Sequence, residues 1–219
     1  VMSPETFQYN KQYYNAILGN WAANNVVKVF GTHFYGTQRS QMDFPALEND
    51  AREIWMTEVY VPNSSSDADT WPEAVEVAVN MHNGLVVGSM SAYVWWYIRR
   101  SYSPMKENGN ISKRGYMMAQ FSKFVRPGAV RVDATESPSS GVYISAFKNT
   151  DGTLVIVAVN NGNTSYAQLF TVNGKTVKNV NRYKTTQYAN LALTRGLSLT
   201  GNGFFAQLDA KSVATFVIS

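Results

Sequence analysis

The chain has 219 residues, of which 45% are hydrophobic, 13% aromatic and 16% charged, and it contains no cysteine. This composition excludes a disordered or acidic solvating segment, because such segments carry more charge and fewer aromatic residues. The lack of cysteine excludes a disulfide framework, a thiolate metal site and a cysteine nucleophile. No apolar run approaches the roughly 18 to 20 residues of a membrane span, so we expect a soluble protein without a membrane partner.

The net charge of +4 lies in the C-terminal part of the chain. Residues 1–126 hold 11 basic and 11 acidic residues, whereas residues 127–219 hold 8 and 4. The basic residues of the second part are scattered: Arg131, Lys148, Lys175, Lys178, Arg182, Lys184, Arg195 and Lys211. Because nucleic-acid binding requires a basic patch or stripe, this distribution favours solvated strand faces and argues against a nucleic-acid partner.

Residues 1–126 alternate between strand and helix patterns. The apolar spacing predicts three helices and three strands. The helices are expected over Phe7–Leu18, Trp71–His82 and Ile111–Val125, and the strands over Val26–Phe34, Glu53–Val61 and Ser91–Tyr97. Helices that alternate with near-continuous apolar strands are typical of a parallel α/β sheet that is buried on both faces.

After Pro127-Gly128 the apolar period changes to two. Alternating residues such as Val142, Ile144 and Ala146 predict short strands that are separated by Asn, Gly and Ser. Asp151-Gly152 and Asn173-Gly174 are the best hairpin turns. Residues 127–219 are therefore predicted to form an antiparallel β domain.

Candidate functional residues follow the ends of the parallel strands, where reactive side chains of α/β folds stand. These positions hold His33, Tyr35, Glu58, Tyr60, Trp95, Trp96, Tyr97, Arg99, Arg100 and Tyr102. Aromatic rings stack on pyranose rings, a carboxylate can attack an anomeric carbon, and arginine with tyrosine can hold a carboxylate group. The set indicates a sugar site.

Each candidate also has an ordinary structural explanation. Trp95 and Trp96 are neighbours on a strand and point to opposite faces, so at least one of them is expected only to pack. His33 taken alone is more often a structural histidine. Glu58 interrupts an otherwise apolar strand, which favours a functional role.

Four segments resemble the glucuronoxylan endo-xylanases of glycoside hydrolase family 30. They are Gly-Thr-His-Phe-Tyr-Gly-Thr-Gln (31–38), Ile-Trp-Met-Thr-Glu-Val-Tyr (54–60), Tyr-Val-Trp-Trp-Tyr-Ile-Arg-Arg-Ser-Tyr (93–102) and Ser-Lys-Arg-Gly-Tyr-Met-Met-Ala-Gln-Phe-Ser-Lys-Phe-Val-Arg-Pro-Gly (112–128). The resemblance implies an α/β plus all-β fold, namely a (β/α)8 TIM barrel with an attached antiparallel side β domain. Residues 1–126 would be the C-terminal part of the barrel, with strands six to eight, and residues 127–219 the sandwich-like side domain. The implied activity is cleavage of β-1,4-xylan with retention of configuration.

The resemblance also implies roles for individual residues. Glu58 corresponds to the nucleophile at the end of the seventh strand. Tyr60, Arg100 and Tyr102 correspond to residues that bind the 4-O-methylglucuronic acid branch of the xylan. The spacing across residues 64–67 leaves open whether Ser66 contributes there. The remaining matches are His33 and Tyr35 of the sixth strand and Trp95 or Trp96 as the tryptophan under the reacting sugar.

The second catalytic carboxyl group is missing from the sequence pattern. Retaining hydrolysis needs two carboxyl groups about 5 to 5.5 Å apart, and the family's acid/base belongs to an Asn-Glu-Pro motif that this chain lacks. Nine other carboxylates of the first part do not match that motif: Glu5, Asp43, Glu48, Asp50, Glu53, Asp67, Asp69, Glu73 and Glu76. We therefore expect strands one to five and the acid/base to come from an N-terminal portion of the same enzyme, which would also cover the open edge of the His33 strand.

The sequence supports other functions less well than a xylanase. A noncatalytic carbohydrate-binding or structural fragment keeps the aromatic residues without chemistry at Glu58, and another specificity within the family, such as a β-1,6-glucanase, conflicts with Arg100 and Tyr102. No metal or cofactor is expected, because His33 and His82 are the only histidines and no carboxylate lies at ligand spacing from either. By the resemblance, the enzyme would be secreted and its partner would be glucuronoxylan.

Overall fold

Two systems of sheets enclose a layer of helices. The computed structural model describes residues 1–174 and 176–219, so Lys175 lies outside the described residues. The helices are α1 (Lys11–Leu18), α2 (Trp21–Val26), α3 (Pro45–Glu48), α4 (Val75–Val86) and α5 (Lys113–Ser122), with a 3-10 turn over Arg39–Gln41. The strands are β1 (Val29–His33), β2 (Glu53–Val59), β3 (Ala92–Trp95), β4 (Val130–Val132), β5 (Val142–Lys148), β6 (Leu154–Asn160), β7 (Tyr166–Thr171), β8 (Val180–Thr185), β9 (Ala192–Thr194), β10 (Leu199–Thr200), β11 (Gly203–Leu208) and β12 (Ser212–Ile218). Across the described ranges, every helix is too short or too polar to cross a bilayer.

The three predicted strands of the first part form a parallel sheet in the order β1-β2-β3. The predicted helices are present as α1, α4 and α5; α1 and α5 are shorter than expected, and α4 has the expected length but begins four residues later. The strand predicted from Val26 begins only at Val29, because Val26 ends α2, a short helix that the apolar pattern hid. Its first turn is capped by Asn20, whose side chain accepts a hydrogen bond from the backbone N–H of Ala23 at 3.0 Å.

The free edge of β1 is occupied, contrary to the expectation of an open three-stranded sheet. Residues 1–6 run parallel to β1, with bridges from Met2 to Val29 and from Thr6 to Thr32. Their backbone hydrogen bonds include Glu5 N to Gly31 O at 3.0 Å and His33 N to Thr6 O at 2.8 Å. The sequence pattern missed this segment because its apolar residues show no strand period.

Residues 130–218 form two antiparallel sheets that face each other. A six-stranded sheet has the order β4-β5-β6-β12-β8-β9, and a three-stranded sheet has the order β10-β11-β7. The Asp151-Gly152 hairpin is confirmed between β5 and β6, with Gly152 at a φ of 83°. The predicted Asn173-Gly174 hairpin is wrong, since β7 pairs with β11 whereas β8 pairs with β12. A turn sequence determines the local bend of the chain, but it does not determine which strands pair with each other.

Strand β6 is buried on both faces, so its residues do not alternate between core and solvent. Ile156 and Ala158 belong to the core between the two antiparallel sheets. Val155, Val157 and Val159 pack instead with α4 and α5, which lie between the six-stranded sheet and β3. On the other side of the molecule, a third core joins α1 and α3 to β1 and β2. The helices α4 and α5 are thus the layer that joins the two sheet systems.

Two polar networks cross this layer. Gln120 of α5 is fully buried and donates to Thr185 at 2.8 Å, and the Thr215 hydroxyl lies 2.6 Å from the Gln120 carbonyl oxygen. His82 of α4, also fully buried, lies 2.9 Å from the Glu136 carboxylate, which also accepts a hydrogen bond from Arg39 at 2.7 Å. Buried polar groups of this kind are costly to leave unpaired, so both networks fix the register between layers.

The second network, formed by His82, Glu136 and Arg39, stabilises the folded state more at neutral pH than at acidic pH. Burial lowers the pKa of His82, against the opposing effect of Glu136. Partial burial would raise the pKa of Glu136, but hydrogen bonds from His82 and Arg39 and their charges lower it below its usual 4.5. Both groups have a lower pKa in the folded state, so both contribute stability at neutral pH. That stability is lost as the pH falls, first below the usual 6.5 of histidine and then through the lowered pKa of Glu136.

We expect Glu136→Gln to lower the free energy of unfolding by about 1–3 kcal/mol at pH 7, because it removes the charged acceptor of a buried histidine. The difference from the parent should narrow as the pH falls from 4.5 through the lowered pKa of Glu136, because the carboxylate becomes protonated over this range. Urea denaturation at several pH values measures both effects. Glu107→Gln is the matched control, since the ion pair of Glu107 with Arg99 is exposed and at 3.6 Å. Equal stability losses for the two variants would contradict the role of the network.

Candidate active site

A β-bulge brings Glu58 to the same edge as His33. The register between β1 and β2 pairs Thr32 with Met56 and then His33 with Glu58, so that β2 carries one extra residue, Thr57. A bulge of this kind re-aims the side chains that follow it. The Thr57 hydroxyl donates to the carbonyl oxygen of Thr32 at 3.1 Å and holds the bulge in place.

The Glu58 carboxylate is partly exposed and contacts two neighbours. Its side chain is 24% exposed, and Oε1 lies 3.7 Å from Nδ1 of His33. Burial, together with a hydrogen bond to Glu58 and the charge of that carboxylate, raises the pKa of Tyr35 well above its usual value. The Tyr35 phenol therefore stays protonated and can donate to Glu58.

A second carboxylate, Glu5, reaches the same histidine. Its Oε1 lies 3.8 Å from Nε2 of His33, so the two ring nitrogens face two different carboxylates. Glu5 has a φ of 55°, in the left-handed region. A Cβ at Gly31 would lie 2.7 Å from Cγ of Glu5, so the side chain needs a glycine at that position. Glu5 lies outside the named strands and reaches His33 because residues 1–6 run alongside β1.

A row of aromatic rings runs from Tyr35 toward the end of β3. The ring centroids of Tyr35 and Tyr60 are 5.1 Å apart, and those of Tyr60 and Tyr102 are 5.4 Å apart, both edge to face. Phe7 stacks on Tyr35 from the N-terminal side, at 4.8 Å. Burial raises the pKa of Tyr102, whereas the charge of Arg100 lowers it, which places the guanidinium near this end of the row.

The two neighbouring tryptophans have different environments. Trp95 is 8% exposed and packs in the core with α4 and α5, whereas Trp96 is 38% exposed. The Trp96 ring lies against Tyr97, with centroids 4.1 Å apart. Arg100 also stacks on Tyr97, with its Cζ 4.5 Å from the centroid of that ring. Trp96 is therefore the tryptophan with a face open to a ligand.

The loop that carries Arg100 and Tyr102 is fastened to α5. Arg114 is fully buried and donates from Nη1 to the carbonyl oxygens of Asn63 at 2.7 Å and Tyr102 at 3.1 Å. At Gly115 an added Cβ would lie 2.3 Å from the carbonyl oxygen of Pro104, so only glycine allows the loop this close. Burial lowers the pKa of Arg114, although Glu73 and Asp67 oppose this.

Ser66 lies in the same region, after β2. Its backbone N–H donates to Oδ1 of Asn63 at 2.7 Å, so Asn63 orders the turn in which Ser66 sits. The structure thus brings together His33, Tyr35, Glu58, Tyr60 and Tyr102 by direct contacts. It joins Arg100 to them through Tyr102, and it places Ser66 on the loop that Arg114 ties to Tyr102.

Several side chains of this site escaped the sequence reasoning. Glu5, Phe7, Asn63 and Arg114 each act through a contact between distant parts of the chain, which no local spacing signals. Gly115 offered a weak signal, a glycine within a predicted helix. Among the described residues, no group of three or more histidine, aspartate or glutamate side chains is placed to hold a metal ion.

Comparison with known proteins agrees with this architecture. Residues 128–216 match the glycosyl hydrolase family 30 beta sandwich domain. The whole chain is 50% identical to the glucuronoxylanase XynC of Bacillus subtilis (strain 168), of which it covers 52%. The fold is similar to a GH30 endoxylanase from Clostridium papyrosolvens C71, with a TM-score of 0.91 and 37% identity over 100% of this chain and 56% of that one. A GH30 subfamily 8 xylanase from Clostridium acetobutylicum gives a TM-score of 0.89 and 35% identity over 100% and 55%.

The chain spans about half the length of the curated relatives that it matches. Those matches nevertheless extend over all of its residues, and they include the parallel sheet as well as the β sandwich. Residues 128–216 are thus a glycosyl hydrolase family 30 beta sandwich domain, and the whole chain is similar in sequence and fold to xylanases of that family.

Proposed function

We propose that this chain carries the nucleophile and the branch-binding site of a retaining glycoside hydrolase that cleaves β-1,4-xylan next to 4-O-methylglucuronic acid branches. The observation that carries the proposal is a guanidinium without an internal counter-charge. Within residues 1–174 and 176–219, no carboxylate lies within ion-pair distance of Arg100, whose contacts are the Tyr97 ring and the Arg99 carbonyl oxygen. An exposed, stacked arginine of this kind suits an external carboxylate.

The aromatic row connects this cation to the reacting centre. A uronate held by Arg100 and Tyr102 would be followed by Tyr60 and then by Tyr35 beside Glu58. The branch sugar and the sugar to be cleaved would thus be bound on one continuous surface. Branch binding would set which backbone linkage lies at Glu58, because an uncharged xylan chain by itself offers only stacking and hydroxyl hydrogen bonds.

In the proposed reaction, a Glu58 oxygen attacks the anomeric carbon and displaces the glycosidic oxygen, which takes a proton from the acid. Water then attacks the glycosyl-enzyme ester, gives its proton to the same acid/base, and releases Glu58. The neutral Tyr35 phenol can donate to Glu58 and orient it. Trp96 supplies the open aromatic face for the reacting sugar, whereas Trp95 supports it from the core.

The acid/base is proposed to come from polypeptide outside these 219 residues. The sequence has no Asn-Glu-Pro motif, and Glu5 is separated from Glu58 by contacts to opposite nitrogens of His33. On this view, residues 1–126 are part of a (β/α)8 barrel whose other strands carry the proton donor, and residues 127–219 are its side domain. A polymeric substrate further supports secretion of the enzyme.

We expect Arg100→Ala to weaken binding of a xylo-oligosaccharide that bears 4-O-methylglucuronic acid by about ten- to a hundredfold. One charge-assisted contact of this kind contributes about 1.5–3 kcal/mol. Titration calorimetry with decorated and undecorated oligosaccharides measures the difference, and the undecorated ligand should bind both proteins equally. Arg99→Ala is the matched control, because Arg99 is the adjacent arginine and pairs with Glu107. Unchanged affinity of Arg100→Ala for the decorated ligand would refute branch recognition.

The 219-residue chain by itself should release no reducing sugar from glucuronoxylan, because it lacks the proton donor. Reducing-end assays at pH 5 to 7 test this, and Glu58→Gln provides the background. Turnover above that background would overturn the external acid/base. Loss of that turnover in Glu5→Gln would then identify Glu5 as the acid.

A noncatalytic carbohydrate-binding role is the second candidate. The aromatic surface favours it, because the rings of Tyr60, Tyr102 and Trp96 can stack on a glycan whether or not Glu58 reacts. On that reading, Glu58→Gln leaves the affinity for all oligosaccharides unchanged, and no other polypeptide restores turnover.

A further inference from the structure

A second cleft lies where the helix layer meets the β domain. It has a volume of about 570 Å³, and its lining includes Trp71, Asn163, Gln187, Tyr188, Asp209 and Lys211. This volume falls in the range of about 300–1,000 Å³ that is typical of small-molecule sites. In the part of the chain that the structure describes, none of the side chains placed around Glu58 lines it.

Tyr188 stands open to solvent on an ordered loop. Its side chain is 90% exposed. The loop folds on itself, because the Thr186 hydroxyl accepts hydrogen bonds from the backbone N–H groups of Tyr188 at 3.2 Å and Ala189 at 3.1 Å. Lys113 of α5 holds the loop from below, donating to the Thr186 carbonyl oxygen at 2.8 Å and to Asn190 Oδ1 at 2.7 Å. The exposed ring is thus presented by a fixed backbone and not by a free loop.

Trp71 provides a second ring from a different part of the chain. It packs partly against the core of α4 and α5, and the ammonium group of Lys113 lies 5.7 Å from its ring centroid. The same lysine therefore positions both the loop of Tyr188 and the ring of Trp71. Two preorganised aromatic rings lose little entropy when a ligand stacks on them.

The charged groups in the cleft are held by internal hydrogen bonds. Asp209 accepts a hydrogen bond from Lys184 at 2.5 Å, and Lys211 donates to the Asn161 carbonyl oxygen at 2.5 Å. The exposed amides of Asn163 and Gln187 add donors and acceptors at the rim. Hydrogen-bonding groups beside two aromatic rings suit a ligand that is rich in hydroxyl groups and has flat apolar faces.

We propose that this cleft is a second glycan-binding site, which holds an undecorated stretch of the same polysaccharide outside the catalytic site. That the ligand is a glycan follows from the lining; that the glycan is β-1,4-xylan rests on the proposed function. A bound distal stretch would keep the polymer on the protein while other linkages enter the catalytic site.

The test uses the five tryptophan side chains as reporters in 1H–15N spectra of the 219-residue chain, with assignment by single Trp→Phe variants. Undecorated xylohexaose should shift the indole N–H signal of Trp71 and leave that of Trp21 in place, since Trp21 is 82% exposed but lies on α2. Tyr188→Ala should weaken the xylohexaose affinity read at Trp71 by about tenfold, because aromatic stacking is lost. Phe205→Ala is the matched control, since Phe205 is an exposed aromatic residue elsewhere in the β domain.

This experiment can refute the second site and the proposed function separately. If the decorated oligosaccharide shifts Trp96 while xylohexaose leaves Trp71 unchanged, the second site is refuted and the proposed function stands. A shift of Trp71 alone, sensitive to Tyr188→Ala, supports the second site and counts against the catalytic assignment. Equal affinity of the Tyr188→Ala and parent proteins at Trp71 also refutes the second site. A protein that binds neither ligand refutes both proposals.

Discussion

Burial of β6 on both faces is the constraint on which the rest of the structure depends. One face of the strand, with Ile156 and Ala158, packs against the three-stranded sheet, and the other, with Val155 and Val157, packs against α4 and α5. Removing either neighbour would expose a continuous apolar surface. The β sandwich is therefore part of the support of the parallel sheet, and the buried contacts of Gln120 and His82 fix how the layers align.

The helix layer of α4 and α5 contacts the candidate site through α5. Packing of α5 on β8 and β12 places Arg114 where its guanidinium joins the carbonyl oxygens of Asn63 and Tyr102. The Ser112 hydroxyl, at the start of the helix, also donates to the Ser103 carbonyl oxygen at 2.7 Å. A loop that would otherwise be mobile is thereby held on a buried helix, as a preorganised binding residue requires. The β domain thus influences the site without contributing a residue to it.

Charge is distributed in two distinct ways in this protein. Structural cations have partners: Arg39 bonds Glu136 at 2.7 Å, and Arg52 bonds Asp50 at 2.7 Å. Burial costs at such positions are offset by the partner. At the candidate site, by contrast, Arg100 stacks on an aromatic ring, and His33 faces two carboxylates beyond hydrogen-bond distance. Side chains whose charge or hydrogen-bonding atoms lack close internal partners, and which lie at one edge of a sheet, can bind a polar substrate.

The sequence by itself determined the parallel and antiparallel halves and the candidate residues at the strand ends, because apolar period and strand order are local properties. The resemblance of its motifs to family 30 agrees with the beta sandwich domain matched over residues 128–216 and with the 50% identity to a glucuronoxylanase. Tertiary structure alone decided that residues 1–6 cover β1, that Glu5 reaches His33, and that Arg114 holds the Tyr102 loop. It also decided that Trp95 is buried and Trp96 exposed, since adjacent strand residues are equivalent until one face is buried. These features join residues far apart in sequence, so their contacts follow from packing and not from spacing.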